Sequence, residues 1–161
     1  MKNVFTLLIT CLSFAFSMQA QVQLGSSLMG SAVSEFGQSV TISGDGSRIA
    51  SAAPNVGYFG HIDYYEYNSM DDSWLEMPND PELIANVGNI IRLSDDGERA
   101  IVFNVAPQYF EAQYNDTLGW QFVTDDFTNQ TVNYKDIAIN SDATRVLVGT
   151  ETETRIYTKE G

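Results

Sequence analysis

One turn recurs three times along the chain. Ser39–Pro54 reads SVTISGDGSRIASAAP, Asn89–Asn104 reads NIIRLSDDGERAIVFN, and Asp136–Thr150 reads DIAINSDATRVLVGT. Each stretch enters as an alternating apolar run, passes a turn bearing Ser and Asp, and leaves through an Arg into a β-branched run. Ser43, Ser94 and Ser141 mark the register on one side of the turn, and Arg48, Arg99 and Arg145 mark it on the other. Period-two alternation broken by Asp-Gly is a hairpin signal, because Gly accepts positive φ and Asp caps nearby amides. A hairpin returning every roughly 46 to 51 residues is spaced like the blades of a propeller.

The second half of each unit repeats as well. His61–Met77 (HIDYYEYNSMDDSWLEM) is two strand-like runs around a polar turn, and Tyr109–Val123 (YFEAQYNDTLGWQFV) has the same layout. Tyr114-Asn115 matches Tyr67-Asn68, and Trp120 matches Trp74. Thr154–Gly161 reaches only the third run, with Tyr157 in the matching place. No stretch carries helical periodicity. The expected fold is therefore all-β: a β-propeller-type array of about three four-stranded antiparallel blades, over residues 36–77, 87–123 and 134–161.

Gln21–Gly25 (QVQLG) stands where a fourth strand would, without a third before it. In a closed ring Gln21–Leu24 would complete the last blade and remove an open edge. Propellers usually have about four to eight blades, so three read as a fragment of a longer propeller, ahead of an open arc or an assembly of copies. Within the first unit, Gly44, Asp45 and Gly46 are expected to make the turn, Ile42 and Ile49 to pack, and Pro54 to end the strand. Alternation puts Tyr65 and Tyr67 on one face and Tyr64 on the other.

Residues 1–20 read as a secretory signal peptide: Lys2, an apolar run from Val4 to Phe16, then small Ser17 and Ala20. Cleavage after Ala20 is preferred to cleavage after Ser17. Cys11 is the only cysteine, and Thr10 before it argues against a lipoprotein site. A mature domain over 21–161 then has no disulfide and no thiolate chemistry, inserts in no membrane, and is expected outside the cell or at its surface.

Chemistry is sparse. The net charge is -13, from 21 acidic and 8 basic residues, which repels nucleic-acid phosphates and anionic lipid. Asp45, Asp95 and Asp96 are the calcium candidates, but each turn offers too few converging oxygens for the six to eight ligands calcium takes. The turn role is favoured, and no cofactor is expected. The acids of Asn68–Ser73, Pro78–Glu82 and Thr124–Phe127 read as solvated loops. The single histidine, His61, reads as a strand or rim residue. No Gly-x-Ser-x-Gly, phosphate-binding loop or His/Cys zinc set is present. Tyr58 is a loop tyrosine that could stack on a sugar.

The Phe36–Pro54 stretch, FGQSVTISGDGSRIASAAP, resembles the FG-GAP repeat of integrin-alpha-type propellers, in the form found in secreted proteins of Bacteroidetes-like bacteria. Phe36-Gly37 matches the opening, and Ala52-Ala53-Pro54 stands where Gly-Ala-Pro is usual. Unit two has Val87-Gly88, keeps the acidic turn and lacks Gly-Ala-Pro; unit three has Tyr134-Lys135, with Ala143 at the turn glycine. The resemblance implies an extracellular binding or adhesion scaffold, with calcium in the blade loops of some members. The expectation is a secreted, non-catalytic module that binds an extracellular protein or glycan. The alternatives are the propeller portion of a larger extracellular hydrolase and a purely structural repeat.

Overall fold

The computed structural model describes residues 21–31, 34–54, 60–78, 89–103, 109–123 and 134–159. Residues 1–20, expected to be a signal peptide, and Tyr58, Asn79–Glu82, Val87-Gly88 and Thr124–Phe127 lie outside the described residues. Strands β1 (Ser39–Ile42), β2 (Arg48–Ala53), β3 (His61–Asn68) and β4 (Ser73–Glu76) form one antiparallel meander. β5 (Ile90–Leu93), β6 (Arg99–Phe103), β7 (Tyr109–Asn115) and β8 (Gly119–Val123) form a second. β9 (Tyr134–Ile139), β10 (Arg145–Thr150) and β11 (Thr154–Thr158) form a three-stranded third. The architecture is the all-β, propeller-type array that the repeat implies.

The recurrent turn is built the same way in each blade. Ser43 N donates to Arg48 O at 2.8 Å, and Arg48 N donates back to Ser43 Oγ at 2.9 Å. Ser94 and Arg99 exchange the equivalent pair at 2.9 and 3.0 Å. In blade three the exchange is between Asn140 and Arg145, at 3.2 and 2.8 Å. The residue three positions on is left-handed each time: Gly46 at φ 76°, Gly97 at 67° and Ala143 at 56°. Asn140, not Ser141, therefore fills the serine position, which corrects the register by one residue. The turn needs a side-chain acceptor five residues before the Arg amide, and Asn140 Oδ1 reaches it; Ser141 falls where Gly44 and Asp95 stand.

Those three positions stitch blade to blade through the backbone. Gly44 N donates to Asp95 O at 2.9 Å, and Asp95 N donates to Ser141 O at 2.7 Å. The first strands of the blades, β1, β5 and β9, run beside one another. Ile91 N and Leu93 N of β5 donate to Ser39 Oγ and Thr41 Oγ1 of β1, each at 3.0 Å. Arg92 Nε makes the next step, donating to Ile137 O at 3.0 Å.

Two apolar layers fill the spaces between sheets. Ala50, Ala52, Ile62 and Tyr64 of blade one pack on Ile91, Leu93, Ala100, Val102 and Trp120 of blade two. The alanines of β2 let the sheets approach, and Tyr64 stacks on Trp120 with centroids 4.1 Å apart. The second layer sets Ile101 and Phe103 against Ile137, Val146 and Val148, with Tyr134 edge-on to Phe103. β6 thus buries both faces, Ala100 and Val102 one way and Ile101 and Phe103 the other. That is why it reads as the unbroken run AIVF rather than an alternation.

Two expectations fail at the N-terminal end. Ile42 does not pack; it is exposed, because among the described residues no sheet stands against its face of β1. Gln21–Gly25 adds no strand to the last sheet. It lies on blade one instead, where Leu24 O accepts from Trp74 Nε1 at 3.1 Å and Gly25 N donates to Asp72 Oδ1 at 2.9 Å.

Candidate functional site

The acidic turn residues serve their own turns. Asp45 Oδ1 accepts from Ser47 N at 2.9 Å, Ser43 Oγ at 2.7 Å and Ser47 Oγ at 2.8 Å. These bonds, led by the Ser47 amide, pull its carboxyl down to about 2. Asp96 Oδ1 accepts from Ser94 Oγ and from Glu98 N, which likewise lower its pKa. Asp142 is held by Thr144 in the same manner. Asp95 differs: its backbone bridges the neighbouring turns, as Gly44 and Ser141 do. The carboxylates of Asp45 and Asp96 are thus spent in separate turns. Among the described residues no three His, Cys, Asp or Glu side chains are grouped to hold a metal ion.

A groove of about 490 Å³ lies on the outer face of blade one, lined by Leu28, Phe36, Val40, Ile42, Ile49 and Ser51 among others. Strand register continues this face outward. Val40 pairs with Ser51 and Ile42 with Ile49; Ser51 pairs with Asp63, Ile49 with Tyr65, and Tyr65 with Glu76. Its border is polar. His61 Nε2 sits 2.7 Å from Asp63 Oδ1, and that hydrogen bond raises the imidazole pKa above its usual 6.5. Burial, with help from Asp63 and Glu76, pushes the Tyr65 hydroxyl up to about 12.

The set can accept and release a proton at His61, whose ring Asp63 orients. Ser51 Oγ, buried on the same face, has no hydrogen-bond partner and so no base beside it. His61 is the strand or rim residue expected from the sequence, and its pairing with Asp63 is what the structure adds. The signal was there: positions i and i+2 on a strand share a face. Also unforeseen is Glu111, buried between blades two and three, with Lys159 Nζ 2.7 Å from its carboxylate.

No protein-family model matches the chain, and no curated protein matches it either. The FG-GAP assignment accordingly gains no support beyond the fold. Solved structures do match. A protein from Lactobacillus plantarum aligns with a TM-score of 0.62 at 17% identity, over 88% of this chain and 42% of that one. A putative 6-phosphogluconolactonase from Bacteroides uniformis aligns with a TM-score of 0.50 at 15% identity, over 75% of this chain and 35% of that one. The chain thus spans well under half the length of these neighbours. The second match overturns the expectation of a non-catalytic chain, because an enzyme assignment exists on the same scaffold. At these identities the likeness shows the fold alone: this chain is similar to part of a propeller-type protein.

Proposed function

We propose that this chain is the three-blade portion of an extracellular propeller hydrolase that opens an uncharged sugar lactone. The observation that carries the reading is the shared fold with the Bacteroides uniformis protein over 35% of its length. Two properties of this chain shape it further. A net charge of -13 disfavours a phosphorylated substrate. The His61–Asp63 pair on the groove border is a general base with its orienting carboxylate, able to draw a proton from an attacking water. The leader-like first 20 residues support an extracellular site of action.

Acid release at constant pH tests this, with glucono-δ-lactone and its 6-phosphate as substrates. The expected result is turnover of the uncharged lactone above the spontaneous rate, with the phosphate ester slower. The rate should climb with pH through the raised His61 pKa, since only neutral imidazole accepts a proton, and His61→Asn should remove that climb. No turnover, or a preference for the phosphate ester, overturns the reading.

A further inference from the structure

Strand register aligns the two seams place by place. Tyr64 of β3 pairs with Ala50, and Glu111 of β7 pairs with Ile101, the residue that stands where Ala50 does. Tyr64 and Glu111 are therefore equivalent, and both are buried. Tyr67, Tyr114 and Lys159 form a second set. Their amides donate to Ser47 O, Glu98 O and Thr144 O, the carbonyls just before the three turn arginines, at 2.8, 2.8 and 2.9 Å. Lys159, not Tyr157, thus holds the Tyr67 and Tyr114 place in blade three.

The same two places carry different chemistry in the two seams. Between blades one and two they hold aromatic rings. Tyr64 stacks on Trp120 at 4.1 Å, Tyr114 lies beside that indole, and the Arg48 guanidinium sits 4.5 Å over the Tyr114 ring. Between blades two and three they hold Glu111 and Lys159, with Nζ 2.7 Å from the carboxylate. Arg92 and Asp136 add a second ion pair at 2.7 Å between the first strands. Burying aromatic rings is favourable by itself. A buried ion pair recovers little beyond the hydration its two ions gave up. Opening the second seam wets both ions at once, so it avoids the penalty that removing one of them would incur.

We infer that blade three undocks from blade two as one unit, with Glu111–Lys159 as the latch, while blades one and two stay joined. The inference goes beyond the proposed activity and does not depend on it. Each blade is a supersecondary unit, the scale on which proteins open sub-globally. Polar contacts between such units favour relative motion, whereas large apolar contacts suppress it. The apolar layer of the second seam, Ile101 and Phe103 with Ile137, Val146 and Val148, opens and closes with the latch.

Native-state hydrogen exchange of the whole chain in urea, below the global transition, tests the inference. β2, β6 and β10 are the second strands of their sheets, each flanked on both sides, which makes them comparable. The β10 amides should open together and exchange about tenfold faster than those of β2 and β6, the factor that one such aromatic stack supplies. Lys159→Ala should speed β10 by about a hundredfold more and leave β2 and β6 unchanged. Glu111→Leu combined with Lys159→Met should return β10 to at least its original protection, since no charge is left unpaired. Equal protection of the three strands in the unaltered chain overturns the inference, because the blades then open as one. So does Lys159→Ala speeding all three strands alike, or a double variant no slower than Lys159→Ala.

Discussion

Ile91 and Val40 hold the same place in consecutive blades, and only Ile91 is covered. The difference lies in neither propensity nor register, since both are β-branched residues on first strands paired in the same way. What separates them is the sheet behind. Ile91 shares one buried layer with Ala50, Ala52, Ile62 and Tyr64, and its amide finds Ser39 Oγ. Val40 faces the groove. The seam between blades one and two therefore shows what the end face of blade one lacks, residue by residue.

The largest effect that can test this contrast is at the second seam. Lys159→Ala should leave the Glu111 carboxylate buried without its cation and cost about 3–5 kcal/mol in denaturant unfolding. A cost below about 1 kcal/mol would show that the seam between blades two and three opens easily. Next comes the direct comparison. Ile91→Ala should destabilise by about 2–5 kcal/mol, because a buried side chain is removed from a packed layer. Val40→Ala should stay within about 0.5 kcal/mol, because that side chain is already exposed. Equal costs would mean that the two faces are not in different surroundings.

The turn glycines sharpen the same contrast at a smaller scale. Gly97 and Gly46 both have positive φ, so alanine strains either one by about 1 kcal/mol or a little more. A Cβ on Gly97 would also come within 3.0 Å of Arg48 Cδ and 3.1 Å of Ser43 Cβ, whereas on Gly46 it meets only Ile42 Cδ1 at 3.8 Å. Gly97→Ala should therefore lower the melting temperature more than Gly46→Ala. The smallest effect concerns acid. Asp45, Asp96 and Asp142 have depressed folded-state values, so their contribution is present above the ordinary carboxylate pKa of 3.8. It fades as pH falls through the folded values, about 2 for Asp45. The melting temperature should drop between those limits, and Asp45→Asn should flatten part of the drop.

The repeat made the blades legible before any coordinates. Alternation, Asp-Gly turns and the matched Tyr-Asn and Trp positions led to three meanders, and Tyr64 and Tyr65 fall on the opposite faces that alternation assigns. Three things stayed hidden, each for a physical reason. Periodicity says which way Ile42 points, but not whether a blade stands behind it. Matching letters set Ser141 against Ser43 and Ser94, although the turn is defined by an acceptor at fixed distance from an amide, which Asn140 supplies. Gln21–Gly25 has strand-like composition, yet the Trp74 indole and the Asp72 carboxylate hold it at the other end of the array. Of the candidate site, the His61–Asp63 spacing was visible and its meaning was not, because a lone histidine gains its role only from its neighbour. The groove depends on an end face that no local pattern marks.

Amide hydrogen exchange, followed residue by residue, bears most directly on the claim that Ile91 lies in a closed seam and Val40 on an open face. The Ile91 and Leu93 amides, held by Ser39 and Thr41, should exchange slowly. The Val40 and Ile42 amides, on the exposed face, should exchange fast. Protection at Val40 and Ile42 equal to that at Ile91 and Leu93 would contradict the account.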